Sequence, residues 1–286
     1  MNAMLQLLTK TATVGGYAVA EKIKPPVPRT ADDVPISGSK VTTEWLTAVL
    51  CRDVPGARVV AFENPGGSSG STERVGLRVR YNDAGRQAGL PTELFTKGAE
   101  NFRQRMLTGG GGVIEGEVHF YRGLRDKTTA EAPRGYWAAA DPRSWRSIAV
   151  MEDIATTRGA RFIGPTERLT REQMHDLVRM LAHLHGDLWQ YCVNSACEPA
   201  DRREWERTLM EAYLESLAEH GGDAPSFDDG MLAYRRQSFW PFIAWAFTIG
   251  RAWYQPEMQP VDRCKAIIRR TASAIEDLDS FGAMGL

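Results

Sequence analysis

Lys97 closes the run Leu94-Phe95-Thr96-Lys97, and Glu117 follows it in Glu117-Val118-His119-Phe120-Tyr121. A lysine at a strand end presents a compact ammonium, a point charge suited to phosphate oxygens. A glutamate on the next helix would orient that lysine through an ion pair. Ahead of both lies Asn64-Pro65-Gly66-Gly67-Ser68-Ser69-Gly70-Ser71-Thr72. Small residues there leave no side chain to keep an anion from the backbone N–H groups of Gly66, Gly67, Ser68, Ser69, Gly70 and Ser71. Behind both comes Ser147-Ile148-Ala149-Val150-Met151-Glu152-Asp153, an apolar strand ending in two acids. The backbone of Met151, Glu152 and Asp153 suits the edge of an adenine. Taken singly, Lys97 ends a strand and Glu117 lies on a solvated helix face. The order of turn, lysine, glutamate and acidic strand end favours a lobe that holds a nucleotide.

The elements that must position these groups are legible as patterns. Residues 57–63 and 73–81 read as strands joined by the glycine-serine turn. In the second, Val75, Leu77, Val79 and Tyr81 alternate with polar residues or glycine, the period of a half-buried strand. Residues 94–97 form a third strand, 114–125 a helix, Tyr136-Trp137 a short strand, and 148–151 the strand that closes this half. Asn82-Asp83-Ala84-Gly85 reads as a turn. Gly109-Gly110-Gly111-Gly112 reads as a flexible loop, since no glycine falls at the third place of G-x-G-x-x-G. Thr42 or Thr43 caps a helix whose apolar face is Trp45, Leu46, Val49 and Leu50.

Beyond Asp153 the pattern turns helical. The capping box Thr170-Arg171-Glu172-Gln173 opens a helix carrying Met174, Leu177, Val178, Leu181, Leu184 and Leu188. A second starts near Pro199, spaces Trp205, Leu209, Tyr213 and Leu217 four apart, and stops at Gly221-Gly222. A third begins at Ser226 and is interrupted by Pro241. A last covers about 261–279. Strands first and helices after argue for an α+β protein of two lobes. Residues 1–35 form a peripheral extension with the extended linker Lys24-Pro25-Pro26-Val27-Pro28. The sheet lobe is 36–153 and the helical lobe 154–286.

A formal net charge of -1 excludes the basic excess of a general nucleic-acid binder. The most apolar run, Phe239 to Phe247, is too short to span a membrane and contains Pro241. Cys51, Cys192, Cys197 and Cys264 lack the paired C-x-x-C spacing of a zinc site. His175, His183 and His185 do not share one helix face, and no metal ligand is assigned. Without a secretory signal, the cysteines read as reduced thiols of a soluble cytoplasmic protein. Trp240, Phe242, Trp245, Phe247, Trp253 and Tyr254 read as helix core rather than as a substrate pocket.

The chain resembles the aminoglycoside phosphotransferase group in the broad sense, including choline-kinase-like and ecdysteroid-kinase-like proteins. The resemblance rests on the glycine-serine turn with Thr72-Glu73-Arg74-Val75, on Phe95-Thr96-Lys97, on Glu117-x-x-Phe120-Tyr121, on Met151-Glu152-Asp153-Ile154 and on Leu181-Ala182-x-Leu184-His185. It continues in Pro199-Ala200-Asp201-Arg202-Arg203-x-Trp205-Glu206 and Tyr234-Arg235-Arg236-Gln237, and covers most of residues 36–255. No one of these motifs is specific; their order is. It implies a protein-kinase-like two-lobed fold, ATP and Mg2+ as cofactors, and transfer of the γ-phosphoryl to a small-molecule hydroxyl. No nucleic acid or membrane partner is implied.

The departure lies in the catalytic segment. The family carries H-G-D-x-x-x-x-N after an apolar strand, and a later Asp that binds metal. Here His185-Gly186-Asp187 is present, but Cys192 stands where the Asn belongs, and Asn194 comes two places too late. The residues before His185 are an amphipathic helix. On a helix spanning about 171–188, Asp187 points away from His185, which makes this catalytic candidate a decoy. The sequence near 185–191 therefore reads as a junction where the catalytic loop and the metal Asp are missing. An internal deletion, a degraded copy and a noncatalytic relative fit equally. A shortened helical lobe should expose apolar surface at Trp205, Trp240 and Trp245 and so favour self-association.

Overall fold

Burial along Glu73–Tyr81 follows the alternation in its sequence, with Val75, Leu77, Val79 and Tyr81 all buried. The computed structural model describes residues 3–110, 113–127, 131–164, 167–182, 189–250 and 257–286. They form two compact units, one chiefly Met1–Lys127 with Ala132–Phe162, the other chiefly Ile163–Ala252 with Met258–Leu286. The first unit holds the strands β1 (Val59–Glu63), β2 (Gly67–Ser69), β3 (Glu73–Tyr81), β4 (Glu93–Gly98), β5 (Gly135–Ala140) and β6 (Ser147–Glu152). Every pairing is antiparallel, in the order β1-β3-β4-β6-β5, and β2 also pairs with β3. The described residues of the second unit contain helices and no strand. The architecture is α+β. The first unit runs on to Phe162, past the boundary expected at Asp153. This is because the short helix α6 (Ile154–Arg158) is tied back to the sheet through Arg158 and Glu152.

The sheet has two differently used faces. On one, Val75, Leu77 and Val79 of β3, Leu94 of β4, and Ile148 and Val150 of β6 pack on helix α2 (Thr43–Leu50) through Trp45, Leu46, Val49 and Leu50. Of the two threonines that the sequence offers, Thr42 caps α2, accepting from Trp45 N at 3.1 Å. Burying a side chain such as Leu46 contributes about 1.5–3 kcal/mol. On the other face, Ala138, Ala149 and Met151 meet Phe95, Val118 and Tyr121. Val118 belongs to α5 (Val113–His119), and Tyr121 to the π-helical turn Phe120–Leu124 that extends it.

Three helices stand where the sequence reads as extension, turn or loop. Helix α1 (Ala3–Ile23) continues through Gly15-Gly16 and passes beside α4 (Phe102–Gly110), where an added Cβ on Gly15 would make an ordinary contact 3.6 Å from the Phe102 ring. The segment is not merely peripheral, since Val14 is buried and Glu21 pairs with the buried Arg105 at 2.6 Å. Asn82 caps α3 (Asp83–Gln87), accepting from Gly85 N at 3.2 Å. Gly109 and Gly110 belong to α4 and not to a loop. Gly109 lies against the Trp145 indole, where a Cβ would come within 2.4 Å. Gly111 and Gly112 are outside the described residues.

In the second unit, Thr170 and Gln173 form the expected reciprocal cap of α7 (Arg171–Ala182), at 2.9 and 3.2 Å. Met174 and Val178 of α7 pack with Val193 of α8 (Trp189–Ala196) and with Trp205, Leu209 and Tyr213 of α9 (Pro199–Glu219). Helix α10 (Phe227–Gln237) breaks at Ser238 into α11 (Phe239–Ile249), whose first turn holds Pro241. A proline is tolerated there because its missing N–H would have had no partner. Helices α12 (Val261–Asp277) and α13 (Ser280–Met284) end the chain. Two expectations need correction. Trp205 is buried, while Trp240 is 60% and Phe247 62% exposed. With Ile243 they form one solvent-facing stripe on α11, which packs on α12 and α8 by its other side, so these aromatics are not core. Trp253 and Tyr254 are outside the described residues. No described helix is long and apolar enough to cross a membrane.

Candidate functional site

Register aligns the candidate residues. Ser68 of β2 lies opposite Arg74 of β3, Arg74 opposite Lys97 of β4, Lys97 opposite Ala149 of β6, and Ala149 opposite Ala138 of β5. Residues directly opposite in an antiparallel ladder share a face. This row therefore lies on the face that α5 covers. Lys97 Nζ donates to Glu117 Oε1 at 2.9 Å, the approach that their order in the sequence predicts. Both side chains are partly shielded, at 33% and 26% exposure. Tyr121 packs beside them and donates its hydroxyl to Met151 Sδ at 3.3 Å. Burial, then the Glu117 charge, pushes the Tyr121 phenol up to about 12.

The glycine-serine segment is tighter than the nine-residue turn expected. Gly67, Ser68 and Ser69 are strand, and the reversal is confined to Gly70-Ser71-Thr72, with Gly70 N–H held by Thr72 O at 3.0 Å. Gly66 takes φ +147, and its carbonyl accepts from Gly76 N at 2.9 Å. A Cβ on Gly67 would sit 2.2 Å from Arg74 O, so backbone contact here requires glycine. β2 pairs with β3 alone, leaving alternate N–H groups pointing outward, where an anion could reach them. The buried Gln104 of α4 anchors the tip, donating to Ser69 Oγ at 3.1 Å and to Gly70 O at 3.0 Å. Neither Arg74 nor Gln104 is singled out by sequence reasoning. A cross-strand neighbour appears only once the register is known, and no spacing rule links Gln104 to the hairpin. Glu73 points to the opposite face, where it accepts from Gly38 N at 2.9 Å. Burial first, then Glu100, raises its pKa.

At the end of β6, Met151 shares the Lys97 face, but its two neighbours are committed elsewhere. Glu152 is held by Arg158 (Nε to Oε1 2.9 Å), by Thr157 Oγ1 at 2.7 Å and by Arg134 N at 3.2 Å. The Arg158 hydrogen bond foremost lowers its pKa to about 2. Asp153 caps α6, accepting from Ala155 N at 3.1 Å. The Glu152 N–H goes to Arg134 O at 2.9 Å and the Asp153 N–H to Glu93 O at 3.3 Å. Both of these backbone donors are engaged within the unit.

In the second unit, the helix expected over 171–188 is described as far as Ala182; His185, Gly186 and Asp187 lie outside the described residues. Asn194 is fully buried in α8, accepting from Tyr234 Oη at 2.5 Å and donating to Ser238 Oγ at 3.1 Å. Both ends of its amide are occupied, so it does not fit a magnesium ion. Cys51, Cys197 and Cys264 are buried thiols, and burial pushes the Cys197 thiol up to about 12, which keeps it inert. No family model, no curated protein and no solved structure matches this chain.

Proposed function

We propose that the first unit binds ATP and that the chain is an aminoglycoside-phosphotransferase-like small-molecule kinase impaired in phosphoryl transfer. The observation that carries this reading is the Lys97–Glu117 pair at 2.9 Å, in one row with the glycine hairpin. A hairpin over the phosphates and a strand lysine paired with a helix glutamate are the parts by which kinases hold ATP. Since β1 and β2 both pair with β3, they act as one interrupted strand, and Lys97 then lies on the third strand from the start of the sheet. Lys97 would hold phosphate oxygens, Glu117 would fix the ammonium, and the outward N–H groups of β2 would face the phosphate chain. ATP supplies the phosphoryl group; the acceptor is a small-molecule hydroxyl.

A noncatalytic nucleotide- or partner-binding pseudokinase is the second reading. It is favoured by Asn194, whose amide is held by Tyr234 and Ser238, and by Cys192 at the place of the family's metal-binding Asn. No magnesium ligand is assigned to this chain. ADP release with ATP, Mg2+ and a panel of small hydroxyl compounds separates the two readings. Turnover lost in Asp187→Asn supports the kinase; binding without turnover supports the pseudokinase.

A further inference from the structure

We infer that Arg74 is a second phosphate-binding cation, so that the row Ser68–Arg74–Lys97 is built for a polyphosphate chain rather than for a single phosphate. Arg74 and Lys97 face each other directly across the β3–β4 ladder. Side chains in such positions start about 4.5–5.5 Å apart at Cβ, and like charges there are destabilising. Glu117 neutralises only Lys97. The half-buried Arg74 side chain makes no hydrogen bond or ion pair among the described residues. The same strand shows the alternative on the same face: Arg78 stands opposite Glu93 and pairs with it at 2.9 Å. The chain thus places an acid across from one arginine and a lysine across from the other. Two cations against one carboxylate leave a net positive charge beside the outward N–H groups of β2. The only other titratable side chain of β3 near this row, Glu73, is turned to the opposite face and bonded to Gly38 N.

The chemistry that satisfies this arrangement is an anion with at least two phosphate groups. Lys97 takes one as a point charge. The planar guanidinium of Arg74 takes the next through paired N–H donors, a geometry well matched to phosphate. Ser68 Oγ, exposed on the far side of Arg74, is a neutral donor in the same row. The inference rests on the nucleotide reading only for the base; the anion site stands on the charges alone.

The test uses the full chain and isothermal titration with three probes: inorganic tripolyphosphate, ATP and adenosine. Arg74→Gln should weaken tripolyphosphate and ATP about tenfold or more, the scale of one charge-assisted hydrogen bond. Arg74→Lys should restore part of that loss. Arg58→Gln, the same charge change at an exposed site outside the row, should leave both affinities unchanged. The unliganded melting temperature of Arg74→Gln should equal or exceed that of the parent, which shows that the variant folds. Unchanged affinity in Arg74→Gln, with both probes lost in Lys97→Met, overturns the inference and leaves the nucleotide reading standing. Arg74-dependent tripolyphosphate binding with ATP no tighter overturns the nucleotide reading and leaves the inference standing. If neither probe binds the parent chain, both fail.

Discussion

Lys97 Nζ and Glu117 Oε1 lie 2.9 Å apart, joining the middle of the sheet to the helix that covers it. The carboxylate fixes an ammonium that would otherwise sample several rotamers beside a second cation. Glu117→Gln keeps the shape and removes the charge. Nucleotide affinity should fall about tenfold, while unfolding free energy changes by no more than about 1 kcal/mol, the range of a partly exposed pair. Titration calorimetry and urea unfolding read the two effects separately.

Gly67→Ala should open the hairpin. Its Cβ would meet Arg74 O at 2.2 Å, and a backbone carbonyl in a ladder has no rotamer by which to yield. Amide hydrogen exchange over residues 67–75 should lose protection, while the β4–β6 ladder keeps it. Retained protection at 67–75 would count against a glycine requirement.

Gln104→Leu should free the hairpin tip without opening the strands. The side chain donates to Ser69 and Gly70 and accepts from Glu100 N at 3.0 Å, all from a buried position. Leaving such partners unsatisfied costs about 1–3 kcal/mol, or several degrees of melting temperature at about 2–4 °C per kcal/mol. Limited proteolysis should cut at 69–72 faster than in the parent chain.

Much of this was legible in the sequence because period and cap are local. The alternation at Val75–Tyr81, the Thr170 cap and a cap at Thr42 or Thr43 follow from spacing, and the approach of Lys97 to Glu117 from their order on a strand and the next helix. What was not legible depends on contacts remote in sequence. Helix α1 gains its place from Glu21 meeting Arg105, and α4 absorbs Gly109 because Trp145 leaves no room for a side chain. Trp240 and Phe247 have the composition of core but face solvent, because α11 uses its other side for packing. The Arg74–Lys97 juxtaposition needs the strand register, which no single strand encodes.

Glu152 should make the first unit acid-sensitive. Its pKa, about 2 in the folded chain, lies below the 4.5 of a free glutamate. Its contribution is therefore full above about pH 4.5 and is lost as pH falls toward 2. Glu152→Gln removes the charge that Arg158 holds. Parent and variant should differ most in urea midpoint near pH 6 and converge only as the pH reaches about 2. A gap that stays constant with pH would assign the effect to packing instead.

The most direct measurement of the central claim is calorimetric titration of ATP into the parent chain and into Lys97→Met. The account predicts saturable binding to the parent, a melting temperature that climbs with ATP as mass action requires, and loss of both in Lys97→Met with its fold intact by circular dichroism. Equal ATP binding by the two proteins, or none by the folded parent, would contradict it.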